Sequence, residues 1–295
     1  MSKLKFYIVD VFAEEKYTGN QLAVFRDAAD VPGELMQKIA REMHFSETTF
    51  ILSDKERDGG YDVRIFTPEA ELPFAGHPTL GTAFVIQQEI LKTKVDSVSL
   101  NLGVGQIPVT FKFSGDKVDI LWMRQKAPEF GKSYDREHIA KLIGIESRAI
   151  DERFPVQEVS TGFFALMVPL KSLDAIKRAR INRDLYDVFV DRGGAPGILV
   201  FAPETYNKEN KLNIRFFADA LGVPEDPATG SANGCLAGYL VKNRYFGTSK
   251  IDIQNEQGIE INRPSLIHIK AEESGGSIEI NVGGRVIPVA KSELV

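Results

Sequence analysis

One local arrangement occurs twice in this chain, 154 residues apart. PFAGHPTLGTA around Gly76 and DPATGSANGC around Gly230 each set a small residue, a glycine and a polar side chain at the opening of a helix. The segments before them match as well. YDVRIF and LNIRFF are alternating strands with an arginine ahead of apolar and aromatic residues, Arg64-Ile65-Phe66 and Arg215-Phe216-Phe217. A Pro-punctuated acidic loop follows each, three residues longer in the second copy. A repeat of this length in a chain of 295 residues restricts the fold to two units built on one plan.

The rest of the sequence fits that plan. The spacing predicts helices over 78–91 and 231–244, each followed by a train of strands in which Gly103, Gly105 and Gly258 mark bends. Upstream, FYIVDVF, LAVFRD and TTFILSD read as strands. VPGELMQKIAREMHF reads as a helix with Pro32 near its start. In the second half FALMVPL and ILVFAPE are strands and SLDAIKRARI a helix. The expected class is α+β: two similar pseudo-symmetric domains, each a curved, barrel-like mixed sheet around a central helix. We place the first domain at 1–124 plus 281–295 and the second at 125–280. Two equivalent helix starts would then face one shared cleft.

Composition removes several functions. Acidic residues outnumber basic ones by 41 to 36, and no run of Lys and Arg tracks a phosphate backbone, so a nucleic-acid partner is not expected. The single Cys235 leaves no internal disulfide and no cysteine metal cluster. The N-terminus turns acidic after a short apolar run, unlike a signal peptide, and no apolar stretch approaches a membrane span. These traits suit a cytoplasmic protein with no membrane partner. The four histidines, His44, His77, His138 and His268, form neither HxH nor HExxH, so no metal is expected. GVGQIP lies between strands and is not a nucleotide fingerprint.

The candidate residues gather around the repeats. Glycine permits close backbone approach, and the first amides of a helix have no intrahelical partner. Gly76-His77 and Gly230-Ser231 therefore read either as anion-binding nests or as ordinary caps, with Thr229 or Ser231 capping the second helix. His77, at a positive helix end, is expected to stay neutral, and serves either as a proton shuttle or as a bond within its own loop. Glu47, in HFSETTFIL, reads as a base whose pKa is raised by dehydration, or as a solvated turn residue. Asp226 is a helix-start charge or a proton relay. Asn20, after Gly19, stiffens a turn or looks into the cleft. Glu69 and Glu71 either bind a ligand or are solvated.

TGNQLAVF, FSETTF, RIFTPEAELPFAGHPTLGTA and EDPATGSANG resemble, in order, the signature stretches of the phenazine biosynthesis PhzF-like family, which has the diaminopimelate epimerase-like fold. The resemblance implies an isomerase with no cofactor or metal that moves a proton on one face of a small hydroxy or amino carboxylic acid. It makes Glu47 the acid/base and matches His77, Asp226 and Ser231 to the family's polar residues. Gly76 and Gly230 become backbone contacts to the substrate, and a homodimer is implied. An amino-acid epimerase with non-cysteine bases and a non-catalytic binding protein are the alternatives.

Overall fold

The computed structural model describes residues 4–294. The chain divides into two compact units. One takes in residues up to Arg124 together with the segment from Gly283 onward, and the other runs from Gln125 to Val282.

The first unit contains β1 (Leu4–Val11), β2 (Asn20–Phe25), α1 (Gly33–Met43), β3 (Glu47–Ile51), β4 (Tyr61–Phe66), β5 (Glu71–Leu72), α2 (Gly76–Val85), β6 (Ser97–Leu102), β7 (Gly105–Ser114) and β8 (Lys117–Arg124). The second contains β9 (Glu129–Tyr134), α3 (Arg136–Leu142), β10 (Val156–Ser160), β11 (Phe164–Pro169), α4 (Leu173–Arg178), α5 (Arg183–Asp191), β12 (Gly197–Ala202), β13 (Leu212–Ala218), β14 (Val223–Asp226), α6 (Gly230–Lys242), β15 (Lys250–Gln257) and β16 (Ser265–Ser274). Two further strands close the chain: β17 (Ser277–Gly284), and β18 (Val286–Leu294), which pairs with β1.

The repeat seen in the sequence is also a repeat of strand pairing. In the first unit the order is β18-β1-β2-β3-β4-β6-β7-β8. In the second it is β9-β10-β11-β12-β13-β15-β16. Both series begin antiparallel, antiparallel, parallel, antiparallel, parallel, antiparallel. The short β5 and β14 return antiparallel onto β4 and β13. Each parallel step is a crossover that carries helix, as chain geometry demands.

At the centre of each unit lies a helix with no polar side. All ten residues of α2 are buried, and α2 packs on β1, β2, β3, β6, β7, β8 and β18. In α6 only Ser231 and Lys242 escape burial, and the helix packs on β10, β11, β15 and β16. A helix that is apolar all round has nowhere stable except inside such a wrap. The outer core of the first unit is an aromatic file on neighbouring strands. Phe6 stacks on Phe25 at 5.1 Å and Phe25 on Phe50 at 5.0 Å, both pairs in cross-strand register.

Two expectations need correction. The helix placed at 78–91 is α-helical only over Gly76–Val85 and continues as a π-helical segment over Ile86–Leu91, where the Lys92 amide reaches back to the Gln87 carbonyl. The single helix read in SLDAIKRARI ends at Arg178, and a second helix, α5, follows, its start capped by Asn182. The cause is remote. Arg215 Nη1 donates to the carbonyls of Ile176 and Ala179, occupying the end of α4.

Close helix–sheet approach makes a prediction at Gly81. A Cβ there would stand 2.6 Å from Leu22 Cδ2 and 2.9 Å from Val11 Cγ2. Alanine gains about 1 kcal/mol in helix propensity over glycine, but overpacking costs roughly 1–3 kcal/mol. We expect Gly81→Ala to lower the free energy of urea unfolding by about 1 kcal/mol net, rather than raise it as at an open helical site.

Candidate active site

Glu47 is the first residue of β3. It is delivered there by α1, which ends at His44 in a left-handed turn closed by the His44 amide on the Ala40 carbonyl. Its side chain is only 16% exposed, and Oε2 lies 3.4 Å from His77 Nε2. His77 is the second residue of α2, with 6% of its side chain exposed. The other face of the ring is fixed: the imidazole bonds to the backbone of Gln21, the residue after Asn20 at the start of β2. Nε2 makes no hydrogen bond, so the bond to Gln21 belongs to Nδ1.

Burial pushes the His77 pKa down to about 3, against a smaller upward push from the bond to Gln21. The ring is therefore neutral at physiological pH, as expected. Dehydration rather than the helix end dominates that shift. A neutral ring that donates from Nδ1 to a carbonyl leaves Nε2 as an acceptor. The 3.4 Å approach is then no ion pair. Nε2 can accept a hydrogen bond from Glu47 only when Glu47 carries a proton. Asn20, itself buried, opens β2 in the same part of the unit.

At both repeated positions the helix opens without a capping side chain. Ala75, extended, precedes α2 and has no oxygen to offer. Thr229 precedes α6, and there the expected cap does not form. Its hydroxyl is diverted to Asp226 Oδ2, at 2.5 Å. Asp226 ends β14, pairs in register with Phe216 and is largely buried. Gln257, at the end of β15, secures this corner. Its Nε2 donates to the Asp226 carbonyl at 2.9 Å and to Thr229 Oγ1 at 3.1 Å, while its Oε1 accepts from Asn233 Nδ2 at 3.0 Å. Ser231 follows Gly230 on the first turn of α6 and is half-buried.

The structure thus gathers Glu47, His77, Asn20 and Gly76 within the first unit, and Asp226, Gly230 and Ser231 within the second. Gln257 escapes the sequence reading. It lies 31 residues beyond Asp226, and only the turn at Gly258 hints at it. Of the acidic pair near His77, Glu71 accepts both Nε and Nη2 of Arg64, and Glu69 is exposed in the turn closed by Thr67.

Strand register shows what stands at the equivalent of Glu47. Phe50 pairs with Arg64, and Val200 with Arg215. Counting back three residues from each gives Glu47 in the first unit and Gly197 in the second. A Cβ on Gly197 would lie 2.6 Å from the Phe216 ring, so no side chain of any kind fits there without a shift. Cys235 cannot substitute as a base. It is buried within α6, and burial pushes its thiol up to about 11.

Comparison with known proteins decides the family. The profile described as phenazine biosynthesis-like protein matches residues 9–292. The chain belongs to the phenazine biosynthesis-like protein family. It is 33% identical to the trans-2,3-dihydro-3-hydroxyanthranilate isomerase of Pseudomonas aeruginosa, over 98% of this chain and 99% of that one. A solved Bacillus anthracis protein of the PhzF family superposes with a TM-score of 0.90 at 26% identity, covering both chains fully. A probable proline racemase from Agrobacterium radiobacter, at 10% identity and a TM-score of 0.64 over 99% of this chain and 93% of that one, shares the fold alone. Within this family the chain is an isomerase, and its α+β architecture is the family's.

Among the described residues no three histidine, cysteine, aspartate or glutamate side chains gather as ligands for a metal ion. No helix there is long and apolar enough to cross a membrane.

The neutral His77 has a measurable consequence. Its folded pKa, about 3, lies below the unfolded value of about 6.5. Below pH 6.5 the unfolded chain takes up a proton that the native ring refuses, so this contribution to stability is lost as pH falls towards 3. The loss is about 1.4 kcal/mol per pH unit. Between pH 7 and pH 5 the wild type should lose roughly 2 kcal/mol more than His77→Gln in urea unfolding; equal losses would show that the ring is charged in the fold.

Proposed function

We propose that this chain is a cofactor-independent isomerase that moves a proton along one face of a small hydroxy or amino carboxylic acid, with Glu47 as the proton carrier. The observation that carries the reading is the Glu47–His77 pair: a shielded carboxylate 3.4 Å from an unprotonated ring nitrogen, at the uncapped start of a buried helix. In the proposed reaction Glu47 takes a proton from one carbon and becomes a carboxylic acid. Nε2 of His77 accepts from that acid while it waits. The same proton then passes to a second carbon within reach, and Glu47 returns to carboxylate. Charge and protons balance without an external acid.

Negative charge left on the substrate needs donors. The uncapped first-turn amides at Gly76 are the proposed ones in the first unit and those at Gly230 in the second, with Asn20, Asp226 and Ser231 as further proposed polar contacts. In the same reading Asp226, tied to Thr229 and Gln257, exchanges a proton with a hydroxyl or amine of the substrate. The amino-acid epimerase reading is disfavoured by the register. Two-face chemistry asks for a second base, and the equivalent of Glu47 is Gly197 under an aromatic ring. Family membership supports the compound acted on by the Pseudomonas aeruginosa relative as the first to try. A homodimer is part of the same reading, and sedimentation at micromolar concentration tests it.

The test is a panel of small hydroxy and amino carboxylic acids in deuterated water, with trans-2,3-dihydro-3-hydroxyanthranilate included. Wild type is run beside Glu47→Gln, which keeps the shape and removes the base. We expect solvent-proton exchange into the true substrate to fall by about 10²–10⁴ while binding of the acid survives. Exchange at the wild-type rate in Glu47→Gln would refute the mechanism.

A further inference from the structure

An arginine–glutamate pair stands at the same point of each unit. Arg64 on β4 donates Nε and Nη2 to the two carboxylate oxygens of Glu71, both at 2.7 Å. Arg215 on β13 does the same to Glu225, at 2.8 and 2.7 Å. Each guanidinium also lies over the aromatic ring two residues along its own strand, Phe66 at 5.0 Å and Phe217 at 4.8 Å. Both contacts are the planar, two-pronged kind that arginine makes and lysine cannot.

The spacing shows what the pairs hold constant. From arginine to glutamate the chain takes seven residues in the first unit and ten in the second. From glutamate to the helix-start glycine it takes five in both, Glu71 to Gly76 and Glu225 to Gly230. The longer loop is absorbed between the arginine and the glutamate, by the short turn at Asp219–Leu221, and none of it after the glutamate. Each arginine has a second grip. Nη1 of Arg215 holds the end of α4 through two carbonyls. The guanidinium of Arg64 lies against Gly33, the first residue of α1, so close that a Cβ there would be 3.0 Å from Nη2. α1 is the helix that delivers Glu47, and the chain after Glu71 delivers His77. One side chain therefore references both members of the proposed proton-transfer pair.

We propose that Arg64–Glu71 and Arg215–Glu225 are positioning pairs for the reaction proposed above: each sets the start of its unit's central helix, and Arg64–Glu71 sets the distance between Glu47 and His77. The proposal rests on that reading for its chemistry but not for its geometry. The first pair is the better test. Its side chains are 33% and 44% exposed, against 4% and 12% in the second, so losing it strands no buried charge.

The experiment compares wild type, Glu71→Gln and Arg64→Lys at neutral pH. The first reading is the pair of imidazole nitrogen shifts of His77. Wild type should show the single Nδ1-protonated form, and both variants a mixture with the Nε2-protonated form. The second is amide exchange over Thr79–Thr82, expected to quicken about tenfold, a shift of roughly 1.4 kcal/mol, with β1 amides unchanged. Once the deuterium panel supplies a substrate, kcat should fall by more than KM rises. If both variants keep one tautomer and exchange within about twofold of wild type, or if exchange quickens equally in β1, the positioning role is wrong. A panel that yields no substrate sinks the proposed function and leaves these two readings to decide the pairs.

Discussion

Everything in each unit follows from burying a helix that has no polar face. α2 and α6 are built from Gly, Ala, Thr, Leu and their like, and a sheet must surround them. Small residues let the strands come close, as Gly81 does against Leu22 and Val11. A helix held this way can meet polar surroundings only at its ends. The N-terminal end is where a helix has amides without intrahelical partners and the positive end of its dipole, so enclosure leaves the helix start as the polar point of each unit. The missing caps fit this picture. Alanine before α2 cannot supply an oxygen, and threonine before α6 has given its hydroxyl to Asp226.

The same enclosure sets the protonation of His77. A charged imidazole next to a helix start is disfavoured by a modest amount, whereas a charged imidazole without water is disfavoured strongly. Burial is the larger effect here and brings the pKa to about 3. The bond to Gln21 then chooses the tautomer, and the tautomer decides what Glu47 faces. Packing of a whole sheet is thereby converted into the hydrogen-bond character of one nitrogen atom.

This division explains what was legible in the sequence. The duplication, the helix starts and the strands around Arg64 and Arg215 depend on neighbours in the chain, and pattern alone reveals them. The neutrality of His77 was readable, but its main cause was not, because dehydration is a property of the packed unit. Glu71 reads in the sequence as a ligand or a solvated charge; nothing local shows that Arg64, seven residues earlier, holds both its oxygens. Thr229 is an obvious cap by residue type, and only the fold shows its hydroxyl bound elsewhere. The break between α4 and α5 is more remote still, since the group that ends α4 lies on β13. In each case the missed feature is a particular side-chain contact that no periodicity encodes.

Duplication also makes the departures from symmetry informative. With Arg64 and Arg215 aligned by register, Leu22 on β2 corresponds to Ala165 on β11, since these pair with Glu47 and Gly197. Asn20 and Gln21 then correspond to Phe163 and Phe164. The polar corner of the first unit, with Asn20, Gln21 and Glu47, is replaced in the second by Phe163, Phe164 and Gly197, roofed by Phe216. The helix starts, by contrast, remain polar in both, His77 in one and Ser231 in the other. A helix start without a side-chain cap has been kept twice, and a carboxylate beside an imidazole once. A pair of matched bases would suit inversion at one carbon. One carboxylate beside one neutral imidazole, with an aromatic corner in the other copy, suits a proton that leaves and returns on the same side of its substrate.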